Sequence, residues 1–302
     1  MNVRIIELPL DFGANRRGSD MGPSAMRLAG LKERITGAGH ECAENFPGIP
    51  VPAMEFAEEG SPDAKFLAPI AAACNELARE TEKALEEGCF PLILGGDHSI
   101  AIGSLSGLGA YYRRHGTPWG CLYVDAHGDF NTPGTTLSGN IHGMSLAAAC
   151  GYGARELTTL YGDFVKLRGE NVVLAGVRDL DKEEKILLRK AGPAVYTMTD
   201  IDRLGIAEAA RRIIAFFAGR VEALHVSIDM DALDPAVAPG VGIPLAGGLS
   251  HRELLLLAEE LAASALLRSA EIVEVNPVLD VRNQTARMAV EIAGRLLGEK
   301  IF

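Results

Sequence analysis

No apolar run in this chain reaches the roughly 20 residues that a membrane-spanning helix needs. The first residues, Val3-Arg4-Ile5-Ile6-Glu7-Leu8-Pro9, read as a charge-interrupted strand rather than a basic leader with an apolar stretch behind it. By these signals the protein is neither exported nor inserted, and the expectation is a cytoplasmic location. Cysteine is sparse as well: Cys42, Cys74, Cys89, Cys121 and Cys150 are scattered, with no C-x-x-C pair. Their odd number argues against a disulfide framework and fits reduced, buried thiols. Basic residues fall short of acidic ones, 29 against 40, for a formal charge of −11. That balance excludes a nucleic-acid partner, whose phosphates are met by clustered Lys and Arg, and suits a small cationic ligand or bound metal better. A P-loop is missing. So is a complete G-x-G-x-x-G, since after Gly240 and Gly242 the third position is Leu245.

What the chain does have is the makeup of a soluble globular enzyme, 48% hydrophobic and 23% charged with 34 glycines. Short apolar runs alternate with amphipathic, Ala- and Leu-rich stretches, the pattern of a mostly parallel sheet covered by helices. Strands are expected near Val3–Leu8, Pro91–Leu94, Cys121–Asp125, Val172–Ala175, Ala194–Tyr196, Leu224–Asp229 and Ile272–Val275, with a weaker one near Glu41–Phe46. Helices are expected at Ser24–Thr36, Asp63–Glu87, Ile100–Arg114, Lys182–Lys190, Ile201–Phe217, His251–Leu267 and Asn283–Leu297. Ser250 and Glu253 form a capping box for the sixth of these. No repeat, low-complexity tract or linker interrupts the pattern, so one domain over residues 1–302 is expected. In open parallel sheets ligands bind beyond the carboxyl ends of the strands, which is where the chemistry should be sought.

Three such ends are rich in metal-ligand types: Gly95-Gly96-Asp97-His98-Ser99, Asp125-Ala126-His127-Gly128-Asp129 and Ser227-Ile228-Asp229-Met230-Asp231. Side chains two apart in an extended chain share a face, so Asp125, His127 and Asp129 can converge, as can Asp229 and Asp231. With His98 they supply two imidazoles and four carboxylates. Four carboxylates in one place repel unless cations join them, and the set balances two divalent ions. Oxygen-rich and thiolate-free, it favours manganese over a structural zinc, although zinc would also bind. Asp97 reads as a residue that orients His98.

These runs resemble the ureohydrolase family, its arginase branch above all, and further stretches extend the likeness over nearly the whole chain. They are Arg16-Arg17-Gly18-Ser19-Asp20-Met21-Gly22-Pro23-Ser24-Ala25, Asn131-Thr132-Pro133, Ser138-Gly139-Asn140-Ile141-His142-Gly143 and Glu274-Val275-Asn276-Pro277. The resemblance implies a three-layer αβα sandwich with a mostly parallel sheet of about eight strands. It also implies two Mn2+ per subunit, a homotrimer or homohexamer, and hydrolysis of L-arginine to L-ornithine and urea by hydroxide generated between the ions. One ion would be held by His98, Asp125, Asp129 and Asp229, the other by Asp125, His127, Asp229 and Asp231, with Asp125 and Asp229 bridging.

The resemblance assigns further roles by matching positions. Asp129 would take the nucleophile's proton, Glu274 would orient the guanidinium, and His142 would pass a proton to the leaving amine. Asn131, Ser138 and Asn140 would contact the substrate's α-carboxylate, and Asp181 and Glu184 its α-amino group. Asp181 and Glu184 equally fit a solvated acidic first turn of a helix, and Arg252 fits either a subunit contact or an ordinary exposed position. One departure stands out: Gly240-Val241-Gly242-Ile243-Pro244 carries Ile243 where the family pattern has Thr close to the substrate. That leaves agmatine, a guanidino acid or hydroxyarginine open as substrates. The Asp125-Ala126-His127 run also matches the D-x-H of binuclear phosphoesterases, and a non-catalytic metal-binding protein is the remaining alternative.

Overall fold

The computed structural model describes residues 1–43, 48–53 and 56–300. Its strands are β1 (Asn2–Leu8), β2 (Glu41–Cys42), β3 (Gly60–Ser61), β4 (Ala64–Lys65), β5 (Phe90–Gly95), β6 (Trp119–Val124), β7 (Val172–Val177), β8 (Ala194–Thr197), β9 (Ala223–Asp229) and β10 (Leu267–Val273). The helices are α1 (Gly22–Leu28), α2 (Leu31–Gly37), α3 (Leu67–Glu86), α4 (Ala101–His115), α5 (Ser145–Ala149), α6 (Arg155–Thr158), α7 (Lys182–Ala191), α8 (Met198–Leu204), α9 (Ile206–Phe217), α10 (His251–Ala263) and α11 (Gln284–Leu296).

Eight strands form one sheet in the order β2-β1-β5-β10-β9-β6-β7-β8, and every pairing in it is parallel. β5, β6, β7 and β9 are buried from end to end, which is why they read as unbroken apolar runs rather than alternating ones. Their side chains still alternate between faces. Leu92 and Leu94 join a core with residues of α1, α2, α8, α9, α10 and α11, while Ile93 joins the core beneath α3 on the opposite face. Cys121 and Tyr123 lie on that second face under α4 and α5. The result is the expected three-layer αβα sandwich. On the second face α3 and α4 approach closely because α4 carries glycine at the contact: a Cβ on Gly107 would sit 2.3 Å from the Ala78 carbonyl oxygen.

Several expected elements are shorter or divided, each for a backbone reason. The helix expected at Ser24–Thr36 is two helices, because Gly30 adopts φ +90° between them. The one expected at Ile201–Phe217 begins earlier and is broken at Gly205, φ +73°. The helix expected from Asp63 starts at Leu67, since the hairpin β3–β4 occupies the preceding residues and Phe66 is left-handed. α10 stops at Ala263. Ala265 is left-handed, and Leu267 already belongs to β10, which therefore starts five residues before the expected strand. Of the weak strand near Glu41–Phe46, Glu41–Cys42 pairs with β1, and residues 44–46 lie outside the described residues.

Candidate metal centre

Four adjacent strands, β5, β10, β9 and β6, end at the same edge of the sheet, and the chemistry-bearing residues follow those ends. His98 opens a short 3-10 turn after β5. Asp125 directly follows β6, Asp229 closes β9, and Glu274 follows β10. Register explains the convergence. Tyr123 of β6 pairs with Ser227 of β9, so the next same-face positions, Asp125 and Asp229, emerge side by side.

The donor atoms form two groups, each within 4.8 Å: His98, Asp125 and Asp229, and then Asp125, His127 and Asp231. His98 Nδ1 lies 3.0 Å from Asp125 Oδ2, 3.2 Å from Asp129 Oδ2 and 3.1 Å from Asp229 Oδ2. His127 Nδ1 lies 3.4 Å from Asp125 Oδ1 and 3.1 Å from Asp231 Oδ2. Asp125 thus belongs to both groups. Asp229 joins the first through Oδ2, and its Oδ1 accepts the N–H of Asp231, a member of the second, at 2.7 Å.

The electrostatics of this cluster ask for cations. Burial, with the charge of Asp125 second, lifts Asp129 to about 7. Burial, with the Asp231 charge second, pushes Asp229 up, and burial with the Asp125 charge raises Asp231. Burial works against His98 and His127, yet the carboxylates beside them, Asp125 with Asp229 and Asp125 with Asp231 respectively, hold both well above the usual imidazole range. Burial also opposes ionisation of Asp125, but the imidazoles of His127 and His98 beside it keep it below the usual carboxylate range. Asp125 Oδ2 is buried, and its 3.0 Å approach to His98 Nδ1 is an ion-pair contact rather than an aligned hydrogen bond. A carboxylate oxygen without such a bond among three crowded carboxylates fits a divalent-ion site, since buried charge is otherwise costly. The oxygen-rich donor set suits hard or borderline cations.

The ligand types are held by groups the sequence reading missed. His98 Nε2 lies 2.7 Å from Ser227 Oγ, and the His98 ring stacks on Tyr123 with centroids 4.4 Å apart. The Tyr123 hydroxyl donates to Asp129 Oδ2 at 2.7 Å, and Ser145 Oγ donates to the same oxygen at 3.3 Å. Strand alternation signals two of these, because Tyr123 and Ser227 stand two residues before Asp125 and Asp229. Asp97 makes no hydrogen bond to the His98 ring. Its Oδ2 accepts the Gly13 N–H and its Oδ1 the Ser99 N–H, so it caps the turn that His98 opens and pins a distant loop.

A cleft of about 110 Å³ opens on the cluster, lined by His127, Asp129, Asn131, His142, Asp179, Asp181, Glu184, Asp229, Asp231, Ile243 and Glu274, among others. Its charge is overwhelmingly acidic. Glu274 and Asp129 both hold left-handed backbone conformations, φ +64° and +49°, a strain typical of residues aimed for a task. Glu274 Oε1 accepts the His98 N–H at 3.0 Å and lies 3.1 Å from His142 Nδ1. Burial opposes protonation of His142, but the neighbouring Glu274 outweighs it and lifts the imidazole to about 9.

Asp181, also in the lining, caps α7, and its Oδ2 accepts from Asn131 Nδ2 at 3.0 Å. Glu184 lines the cleft, but its oxygens accept the N–H groups of Phe130 and Asp181. Ile243, 44% exposed, also lines the cleft. Ser138 and Asn140 are not among the residues lining this cleft: Asn140 is buried, and its N–H donates to the exposed Ser138 Oγ at 3.2 Å. Arg252, on the exposed side of α10, reaches Glu259 at 3.3 Å.

Known proteins resemble this chain over its whole length. A family model described as the arginase family matches residues 1–298. The arginase of Bacillus caldovelox is 47% identical over 301 residues, covering 99% of each chain. Its crystal structure superposes with a TM-score of 0.95 at 46% identity, covering 100% of this chain and 99% of that one. The crystal structure of arginase from Bacillus cereus gives a TM-score of 0.94 at 46% identity, covering 100% of both chains.

Proposed function

The chain belongs to the arginase family, and from that premise we propose that it hydrolyses L-arginine to L-ornithine and urea at the strand-end cluster. The observation that carries this reading is the pair of His/Asp groups joined through Asp125 at the floor of an acidic cleft. Such a cleft attracts a cationic guanidinium and repels a phosphate ester, which separates the reading from a phosphoesterase. Intact donor groups beside His142 and Glu274 separate it from a non-catalytic metal protein.

We assign His98, Asp125, Asp129 and Asp229 to one divalent ion and Asp125, His127, Asp229 and Asp231 to the other, both Mn2+. When bound, such a pair supplies Lewis-acid activation of water at neutral pH, which a resonance-stabilised guanidinium carbon requires. Glu274 orients the guanidinium. Its Oε1 is engaged by His98 and His142, and its Oε2 points toward Gly242, whose Cβ position lies 3.2 Å from it. Asp129 accepts a proton as the bond to carbon forms. His142, protonated below about 9, donates one to the leaving amine.

The amino-acid end of the substrate lies along Asn131 and Asp181, with Glu184 buttressing that wall through the Phe130 and Asp181 N–H groups. Ser138 and Asn140 meet the α-carboxylate from outside the present cleft, a contact that needs the 138–140 turn to approach the substrate. Ile243 tunes specificity from the cleft lining, which keeps hydroxyarginine and agmatine as substrates to compare. The same reading carries one catalytic domain over residues 1–302, a homotrimer or homohexamer, and a cytoplasmic location. The five cysteines are free, and among the described residues no helix is long and apolar enough to cross a membrane. Urea and ornithine release from arginine, agmatine and hydroxyarginine, measured side by side, tests the assignment. Equal or greater turnover of either alternative would displace arginine.

A further inference from the structure

Arg178, immediately after β7, is half-buried and forms no ion pair among the described residues, although it stands beside several carboxylates. Its guanidinium acts on backbone instead. Nη2 donates to Asp231 O and Leu245 O, both at 2.7 Å, and reaches Leu233 O at 3.4 Å. Nη1 donates to Gly176 O and Ala232 O, each at 3.3 Å. The main chain at the same place is tied the other way, the Arg178 and Asp179 N–H groups donating to Ala126 O at 2.8 and 3.0 Å. Ala126 sits between Asp125 and His127, and its own N–H donates to Asp231 Oδ1 at 3.2 Å.

One residue therefore knots together three segments that meet at the cleft. Asp179 and Asp181 follow it on the first, Asp231 lies on the second, and Leu245 stands two residues beyond Ile243 on the third; Asp179, Asp181, Asp231 and Ile243 all line the cleft. A planar fork of fixed geometry can hold two carbonyls of different loops at a set separation, whereas a flexible point charge cannot. We infer that Arg178 is a positioning residue that fixes the spacing between the Asp181 segment and the Ile243–Leu245 segment, and through it the recognition of the substrate's amino-acid end. The inference rests on the orientation proposed above, with that end along Asp181.

L-Ornithine carries the amino-acid end without the guanidinium, so its affinity reports this spacing apart from catalysis. Calorimetric titration of ornithine into the metal-loaded protein, with KM and kcat for arginine and the thermal midpoint, should be compared in wild type, Arg178→Lys, Arg178→Gln, Asp181→Asn and the Arg178→Lys/Asp181→Asn pair. The expected result for Arg178→Lys is a folded protein with two ions, ornithine binding and KM each weakened roughly tenfold, as for one charge-assisted bond lost, and kcat within about threefold. Its effect should be non-additive with Asp181→Asn. If Asp181→Asn weakens ornithine and the folded Arg178 variants do not, the positioning role is overturned and the substrate orientation stands. If Arg178→Lys weakens ornithine and Asp181→Asn leaves it unchanged, the orientation falls while Arg178 still sets the cleft. Failure of both Arg178 variants to fold would assign the residue to folding alone and overturn the inference.

Discussion

Asparagine at position 181 separates two tasks that the aspartate performs together. As the N-cap of α7, Asp181 is part of a reciprocal box in which Glu184 accepts its N–H at 3.0 Å, and its own Oδ2 accepts from Asn131. Asparagine caps a helix as well as aspartate does, whereas alanine would cost about 0.5–2 kcal/mol, and it keeps a carbonyl oxygen for Asn131. Only the charge is removed. A hydrogen bond to a charged group is worth about 1.5–3 kcal/mol against about 0.5–1.5 for a neutral one, a difference of about 1–1.5 kcal/mol. KM for L-arginine should therefore rise roughly five- to tenfold, while the thermal midpoint stays within about 2 °C of wild type. Initial rates of urea release on arginine and on a guanidino acid lacking the α-amine give the assay, because only arginine loses a charge-assisted contact. An equal change for both substrates, or none for arginine, would show that Asp181 is simply a solvated helix cap.

Replacing His142 by alanine should leave two ions bound and lower kcat by at least ~10-fold; loss of metal would show it to be a ligand instead. Because His142 loses its proton as pH climbs through about 9, wild-type kcat should fall there, and the alkaline limb should vanish in the alanine variant. Ile243→Thr restores a hydroxyl to the cleft wall and should raise kcat/KM for arginine roughly three- to tenfold; an unchanged value would mean that the side chain touches no substrate. In metal-free protein Asp129 is raised from 3.8 to about 7, so the folded chain holds a proton that the unfolded chain has released. Stability should then fall as pH rises between those values, and saturating Mn2+ should remove the slope. A metal-free protein that gains stability over that window would contradict the raised carboxylate.

The sheet was legible because buried parallel strands must be apolar throughout, and the metal-ligand types were legible because they cluster just past three strand ends, although His127 and Asp231 reach the site from turns beyond the strands rather than by alternation. Helix ends were less so. Gly30 and Gly205 stop helices by adopting positive φ, yet a glycine inside an amphipathic pattern is equally compatible with a continuous helix. Between α10 and β10 the apolar residues run on through Leu266 and Leu267, so periodicity hides the break that Ala265 makes. The supporting residues were hidden for a different reason. Ser227 and Tyr123 are ordinary strand residues until His98 is placed against them, and Asp97 finds its partner Gly13 far away in sequence. Arg178 binds only carbonyls, which every residue carries, and so leaves no complementary side chain to recognise.

The central claim is that two ions held by the strand-end carboxylates and imidazoles make this chain hydrolyse arginine. Metal analysis of the purified protein, paired with urea and ornithine detection after incubation with arginine, tests it most directly when repeated on His127→Ala and Asp231→Ala. Each chain should carry two ions and release urea and ornithine in equal amounts, and both variants should lose metal and activity together. A His127→Ala or Asp231→Ala protein that keeps both ions and full activity, or a fully loaded wild type that releases no urea, would contradict the account.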